Sequence, residues 1–361
     1  MKVLFGAILV LLVMTGACCC AGSGSDNKII TFFGTCDASA AAALDGNTIV
    51  AADDENNVLR VYKFRQGGLP VFSYDLTGFL GTAGEYPEAD IEGATVIGSR
   101  IYWLTSHGRN RDGKPRPNRS RFFATEVQIK NGSVTINPVG RPCSTLVSEL
   151  VKTKAAQELG LDRAAGVGAI ELAKKDIKKL APKREGLNVE GLCASADGNT
   201  IYIGFRNPRP QSKAIVVPLK NAADVIEKEM PPVFGEPMLW DLRGLGIRSM
   251  EYSGYRKEYL IVAGRHDDRA GFVLYRWSGV QNEQPNLLQE LDLPAVDFSP
   301  EALVTFRDSP KLLLLSDDGT VPVMVSDRSE CAPDELLDDG RCPQKFLTDP
   351  NKKRFRGTLL D

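Results

Sequence analysis

Residues 187–208 read LNVEGLCASADGNTIYIGFRNP, and four further stretches of the chain repeat that pattern. They are ADIEGATVIGSRIYWLTSHGRN at 89–110, IRSMEYSGYRKEYLIVAGRHDD at 247–268, FSPEALVTFRDSPKLLLLSDDG at 298–319 and a degenerate CDASAAAALDGNTIVAADDENN at 36–57. In each, a polar residue opens a short apolar run, a turn follows, a second apolar run returns, and a charged loop closes the unit. Repeats of roughly 50 residues built from short strands predict an all-β fold, a β-propeller, in which radial repetition leaves few open sheet edges.

Runs rich in Val, Ile, Tyr and Phe, bounded by Gly or Asn, fill out four-stranded blades around these units. Blade two, for example, takes Glu92–Ile97, Arg100–Thr105, Arg121–Ile129 and Ser133–Pro138. The last unit has three strand candidates, ending at Arg354–Leu360, and lacks a fourth. The N-terminal run Ile29–Phe33 has no blade of its own, so it is expected to supply that strand and close a ring of five. Six blades are the alternative, if the segment after Cys143 contains another. That segment, residues 144–183, instead switches to Ala, Leu, Lys and Glu at helical spacing, which predicts a helical insertion between blades two and three.

The 361 residues carry 44 Lys and Arg against 46 Asp and Glu, a formal charge of -2, so no global field draws the chain to nucleic acid. Residues 1–21 combine Lys2, an apolar run and small residues, the pattern of a secretory signal. Thr15–Cys18 resembles a lipobox, which would make Cys18 a lipidated N-terminus; simple cleavage is the alternative. Either places the protein outside the cytoplasm, in the periplasm, on the outer membrane or secreted, with 22–28 as a flexible linker and 29–361 as one propeller domain. Cys331 and Cys342 bracket an acidic loop and are expected to form a disulfide.

Antiparallel geometry predicts where the polar residues go. The start of each first strand and the loop after each second strand lie on the same face. Glu92, Glu190, Glu251 and Glu301, with Ser39 in the degenerate copy, should therefore ring one mouth of the central channel. His107, Arg109, Asn110, Arg206, Asn207, Arg248, Arg265 and His266 should surround them, and the insertion should roof the same mouth. Glu92, Glu190, Glu251, Glu301 and His107 are then candidate acid–base groups, and the arginines, asparagines and His266 candidate ligand contacts. Asp53, Asp54, Asp317 and Asp318 are candidate oxygen ligands for Ca²⁺. A structural duty is open for all of them, because repeated Glu residues also hold blades in register by pairing with Arg.

The motifs DIEGATVIGSRIYWLTSHGRNRDGKPRPNRSRFF, REGLNVEGLCASADGNTIYIGFRNP, GIRSMEYSG, FSPEALVTF, LLLLSDDG and KKRFRGTLL resemble, in order, the bacterial family named domain of unknown function 3616. The resemblance runs from about Gly34 to Leu360 and implies a propeller, without implying catalytic residues. The repeat is more distantly similar to secreted phytase-like and SdiA-regulated propellers. Two functions follow as expectations. One is a binding propeller that recognises an anionic small molecule or an envelope protein at the channel mouth. The alternative is an extracytoplasmic hydrolase of phosphoesters or other esters, with Ca²⁺ as its one candidate cofactor.

Overall fold

The computed structural model describes residues 29–166, 174–265 and 271–360. In chain order, β1 (Ile30–Phe33) precedes blade one, which is β2 (Ala38–Ala43), β3 (Thr48–Asp53), β4 (Val58–Lys63) and β5 (Phe72–Asp75). After α1 (Thr77–Leu80), blade two is β6 (Ile91–Ile97), β7 (Arg100–Thr105), β8 (Phe122–Lys130) and β9 (Ser133–Cys143). Four short helices follow, α2 (Leu146–Leu150), α3 (Lys154–Glu158), α4 (Leu161–Ala165) and α5 (Lys174–Ile177). Blade three is β10 (Asn188–Ala194), β11 (Ile201–Asn207), β12 (Ala214–Leu219) and, beyond α6 (Ala222–Glu227), β13 (Met238–Trp240). Blade four is β14 (Gly246–Ser253), β15 (Glu258–Gly264), β16 (Val273–Trp277) and β17 (Asn286–Glu290). Blade five takes β18 (Ser299–Phe306) and β19 (Ser309–Asp317); past a small hairpin, β20 (Pro322–Met324) with β21 (Arg341–Pro343), it adds β22 (Arg354–Leu360) and finally β1.

The first strands of the blades touch in cyclic order, β2 to β6 to β10 to β14 to β18 and back to β2, which makes the ring five-bladed. Each junction between neighbouring blades holds its own apolar core. An inner strand therefore has apolar neighbours on both faces and reads as a continuous apolar run rather than an alternating one. β10, for instance, is buried along its whole length.

The missing strand of blade five is β1, paired antiparallel with β22 from Ile30 opposite Gly357 to Phe33 opposite Arg354. Phe32 is fully buried there, stacked on Phe355 at 4.7 Å and edge-on to Tyr62 of blade one at 5.3 Å. Backbone bonds from Phe33 N–H to the Gly68 carbonyl and from Gly68 N–H to the Thr31 carbonyl also stitch β1 to blade one. The first segment of the chain thus joins the last blade to the first.

The insertion is helical but broken into single turns. Thr153 caps α3 by accepting from the Ala156 N–H, and Gly160 and Gly166 take left-handed φ at the two ends of α4. Its apolar residues, among them Leu146, Leu150, Ala156 and Leu161, fill the core between blades two and three. Cys331 and Cys342 are joined in a disulfide across the β20–β21 region, over a sequence separation of 11 residues. Closing a loop of that size stabilises by about 3 kcal/mol in the chain-entropy account.

Candidate mouth of the central channel

Pairing between the first and second strands skips one residue near the start of β2, β6, β10, β14 and β18. The skipped residues are Ser39, Glu92, Glu190, Arg248 and Glu301. A bulge re-aims its extra side chain out of the pleat. Glu92 and Glu301 reach the cavity at the mouth, Glu190 and Arg248 are buried in ion pairs beside it, and Ser39 donates to the Ile91 carbonyl. The residue after the bulge is small because neighbouring inner strands approach closely there. A Cβ on Gly93 would lie 2.9 Å from the Leu192 Cβ.

Blade four departs from the sequence expectation. Its bulge residue is Arg248, and Glu251 lies three residues further along β14, opposite Leu260. Glu251 lines a separate hollow of about 270 Å³ with Val96, Ala194, Asp197 and Tyr252, where burial pushes its carboxyl up to about 8. Glu251 therefore lies outside the ring of bulge residues. The apolar period of the two runs is satisfied by either register, and only the bulge selects Arg248.

The ring is electrically divided. On the side of blades three to five, Glu190 accepts from Arg206 Nη1 at 2.7 Å and Asn188 Nδ2 at 2.7 Å and pairs with Arg248 Nη1 at 3.3 Å. Arg248 also pairs with Glu301 through Nη2. All four charged groups are buried, so this is one neutralised chain across three blades. On the side of blades one and two, Asp37, Asp53, Asp54 and Glu92 crowd together with Asp90, and only Asp90 has an ion pair among the described residues, to Arg119 Nη1 at 2.9 Å. Burial pushes Asp53 up to about 7 and Asp90 up to about 6. Burial holds Asp37, Asp54 and Glu92 well above the carboxylate range, helped at Asp37 by Asp317 and Asp53, at Asp54 by Asp37, Asp317 and Glu92, and at Glu92 by Glu190 and Asp90. Asp37 and Asp317 lie within hydrogen-bond reach of each other, a contact that also raises Asp37.

Above this ring is a cavity of about 620 Å³, a size suited to a small molecule. Its floor includes Asp54, Asp90, Glu92, Glu301 and Asp317, and its wall Arg109, Arg111, Arg119, Lys183, Arg184 and Lys345. Lys183, at the end of the helical insertion, and Arg184, just past it, line this cavity. Asn207 Nδ2 fastens that end by donating to the carbonyls of Arg184 at 2.7 Å and Gly186 at 2.9 Å. Arg109 fastens the other part, donating to the carbonyls of Ala165, Gly166 and Gly113.

A family model described as Protein of unknown function (DUF3616) matches residues 37–302, well over half of the chain. The chain belongs to that family. Its match spans the first strands of blades one to four, the start of β18 and every bulge residue. A search of the curated proteins finds no match. Among solved structures, the chain is similar to the Myxococcus xanthus glutaminyl cyclase at 8% identity, with 80% of this chain and 88% of that one covered and a TM-score of 0.42. It is similar to a putative oxidoreductase (glucose dehydrogenase) of Thermus thermophilus at 12% identity, covering 92% and 100%, TM-score 0.40. The PQQ-bound aldose sugar dehydrogenase of Streptomyces coelicolor gives 11% identity, 92% and 99%, and a TM-score of 0.40. These likenesses carry no argument about chemistry.

In this DUF3616 propeller the remaining expected site residues scatter. His107 has a positive φ of 52°, and its buried Nε2 has no hydrogen-bond partner among the described residues. Burial, reinforced by Arg121, pushes its imidazole down to about 3, which leaves it neutral and unsuited to proton donation near neutral pH. Asn110 organises its own loop, its Oδ1 accepting from the N–H groups of Asp112 and Lys114. Asp318 is taken by Arg356, whose Nη2 and Nε lie 2.6 and 2.7 Å from its two oxygens, so it is not available as a cation ligand. Arg265 is half-buried just past β15, and His266 lies outside the described residues, as do the leader, Cys18 and residues 22–28.

Sequence reasoning passed over Asp37, Asp90 and Arg184. Asp37 and Asp90 stand two residues before the bulge, where blades three and five carry Asn188 and Ser299. That column of small polar residues was visible in the repeat once its copies were aligned on the bulge. Gly319, in the SDDG motif, has a similar cause: a Cβ there would meet Asp37 Oδ1 at 1.8 Å.

Proposed function

We propose that this propeller binds an anionic small molecule in the cavity at the channel mouth. The observation that carries the reading is a set of cations without carboxylate partners. Arg111 and Arg184 are exposed on the cavity wall and make no ion pair among the described residues. Guanidinium groups in this state suit bidentate contact with a phosphate or carboxylate. An extracytoplasmic setting fits the leader-like first 21 residues and the disulfide, and no helix among the described residues is long and apolar enough to cross a membrane. Lipidation at Cys18 belongs to the same proposal.

Thermal melting of the mature chain with inorganic phosphate and a panel of phosphoesters tests the reading. A ligand at 100 times its Kd should add about 2.7 kcal/mol to stability. The double variant Arg111→Ala, Arg184→Ala should lose most of that increment while melting normally without ligand. No rise in melting temperature with any anion would sink the proposal. Hydrolysis is the second reading, and it rests on the same cavity bringing the Asp90 and Glu92 carboxyls near Arg119 and Arg206. It requires release of product from a bound ester, whereas saturable binding without turnover leaves the binding reading alone.

A further inference from the structure

Four carboxylates crowded at one place without an ion pair among the described residues are costly. Like charges a few ångströms apart in a partly desolvated site repel strongly, and burial removes the water that would screen them. Asp37, Asp53 and Asp54 each present an oxygen such that the three lie within 4.8 Å of one another, and so do Asp54, Asp90 and Glu92. Three oxygens at that spacing can share a central ion at no more than about 2.8 Å, close to the Ca²⁺–oxygen range. An independent observation concerns Asp54 itself. Its Oδ1 is sealed from solvent and accepts no hydrogen bond from any described residue, although Asp54 lines the cavity. A buried carboxylate oxygen normally finds a donor, and a missing one calls for a ligand.

We propose that the blade-one and blade-two half of the mouth binds a hard divalent cation, with Asp54 as the carboxylate shared between the triads Asp37–Asp53–Asp54 and Asp54–Asp90–Glu92. The donor set is all oxygen with no His or Cys, which selects Ca²⁺, Mg²⁺ or Mn²⁺ over zinc and copper. The irregular crowding of carboxylates favours Ca²⁺, since Mg²⁺ demands near-octahedral geometry and retains waters. The ring's own asymmetry supports the assignment. Arg248 neutralises Glu190 and Glu301 on the far side, whereas on this side Arg119 reaches only Asp90 and Glu88. Gly319 keeps the Asp37 carboxylate in place, because any side chain there would displace it. The cation site rests on the anion-binding reading only in sharing its cavity: a cation on the floor would meet the negative end of a ligand gripped by Arg111 and Arg184.

The experiment titrates EDTA-treated mature protein with Ca²⁺, Mg²⁺ and Mn²⁺ separately, by calorimetry and by thermal melting, without any organic anion. Saturable binding and a higher melting temperature with Ca²⁺ are expected, with at least a tenfold weaker response to Mg²⁺. Asp54→Asn should weaken the cation at least 100-fold and should melt higher than the wild type in EDTA, because it relieves repulsion. A merely structural Asp54 would give the opposite result in EDTA. Failure of all three cations to bind the wild type, or undiminished binding by Asp54→Asn, would overturn the proposal. Phosphoester melts run in EDTA separate the two readings: a shift there without any cation response removes the cation site and keeps the anion site, and the converse result does the reverse.

Discussion

Arg248 shows what a single residue does in this ring. It is 2% exposed and lies between Glu190 and Glu301, so removing it strands the buried Glu301 carboxylate and leaves Glu190 to Arg206 and Asn188. Arg248→Leu should cost about 3–5 kcal/mol. The midpoint of urea unfolding, read at unchanged slope, measures this, and a loss below about 1 kcal/mol would show that the chain of charges does not hold the blades. The repeated Glu was legible in blades two, three and five, where the motif E-G or E-A stands at the bulge. In blade four it was misread, because Glu251 sits in a strand whose apolar residues fit either register. The residue that marks the mouth there has the opposite charge.

At the level of elements, the closing strand and the insertion behaved differently. β1 was legible because the five-residue run Ile29–Phe33 had no blade of its own and the last blade had one strand too few. Phe32 is its anchor, between Phe355 and Tyr62, and Phe32→Ala should destabilise the protein by about 3–5 kcal/mol. Chemical unfolding would register the loss, and proteolysis should begin in the freed N-terminal segment; a variant as stable and as resistant as the wild type would mean that β1 is not what closes the ring. The insertion was legible as helical from its Ala-, Leu- and Lys-rich composition. Its division into single turns was not, since Thr153 and the left-handed glycines 160 and 166 act through local caps that periodicity does not weigh.

The molecule as a whole carries more buried carboxyl groups than its buried cations offset, and that fixes its response to pH. Asp90, Asp53 and Glu251 are pushed up to about 6, 7 and 8, whereas unfolded carboxyls titrate near 4. Between those limits these three carboxyls hold more protons in the folded chain than in the unfolded one, so their contribution to stability falls as pH rises from about 4 to about 8, opposed below about 6.5 by His107, whose imidazole is pushed down to about 3. Glu251→Gln should restore on the order of 2 kcal/mol at pH 8 and almost nothing at pH 4. Denaturation in EDTA at pH 4.5, 6 and 8 checks both statements, and wild-type stability that rises across that window would contradict them.

The propeller class, the strand that closes it, the disulfide and the face on which polar residues gather were all decided by the sequence. Each depends on a period, a spacing or a strand direction that is written locally along the chain. Which residue occupies each bulge, which carboxylates are neutralised and which are left crowded were decided only by the tertiary structure. Those outcomes depend on distances between side chains that sit far apart in sequence on different blades, such as Glu190 and Arg248, or Asp54 and Asp90. A charge pattern read along one strand cannot express the field between two of them.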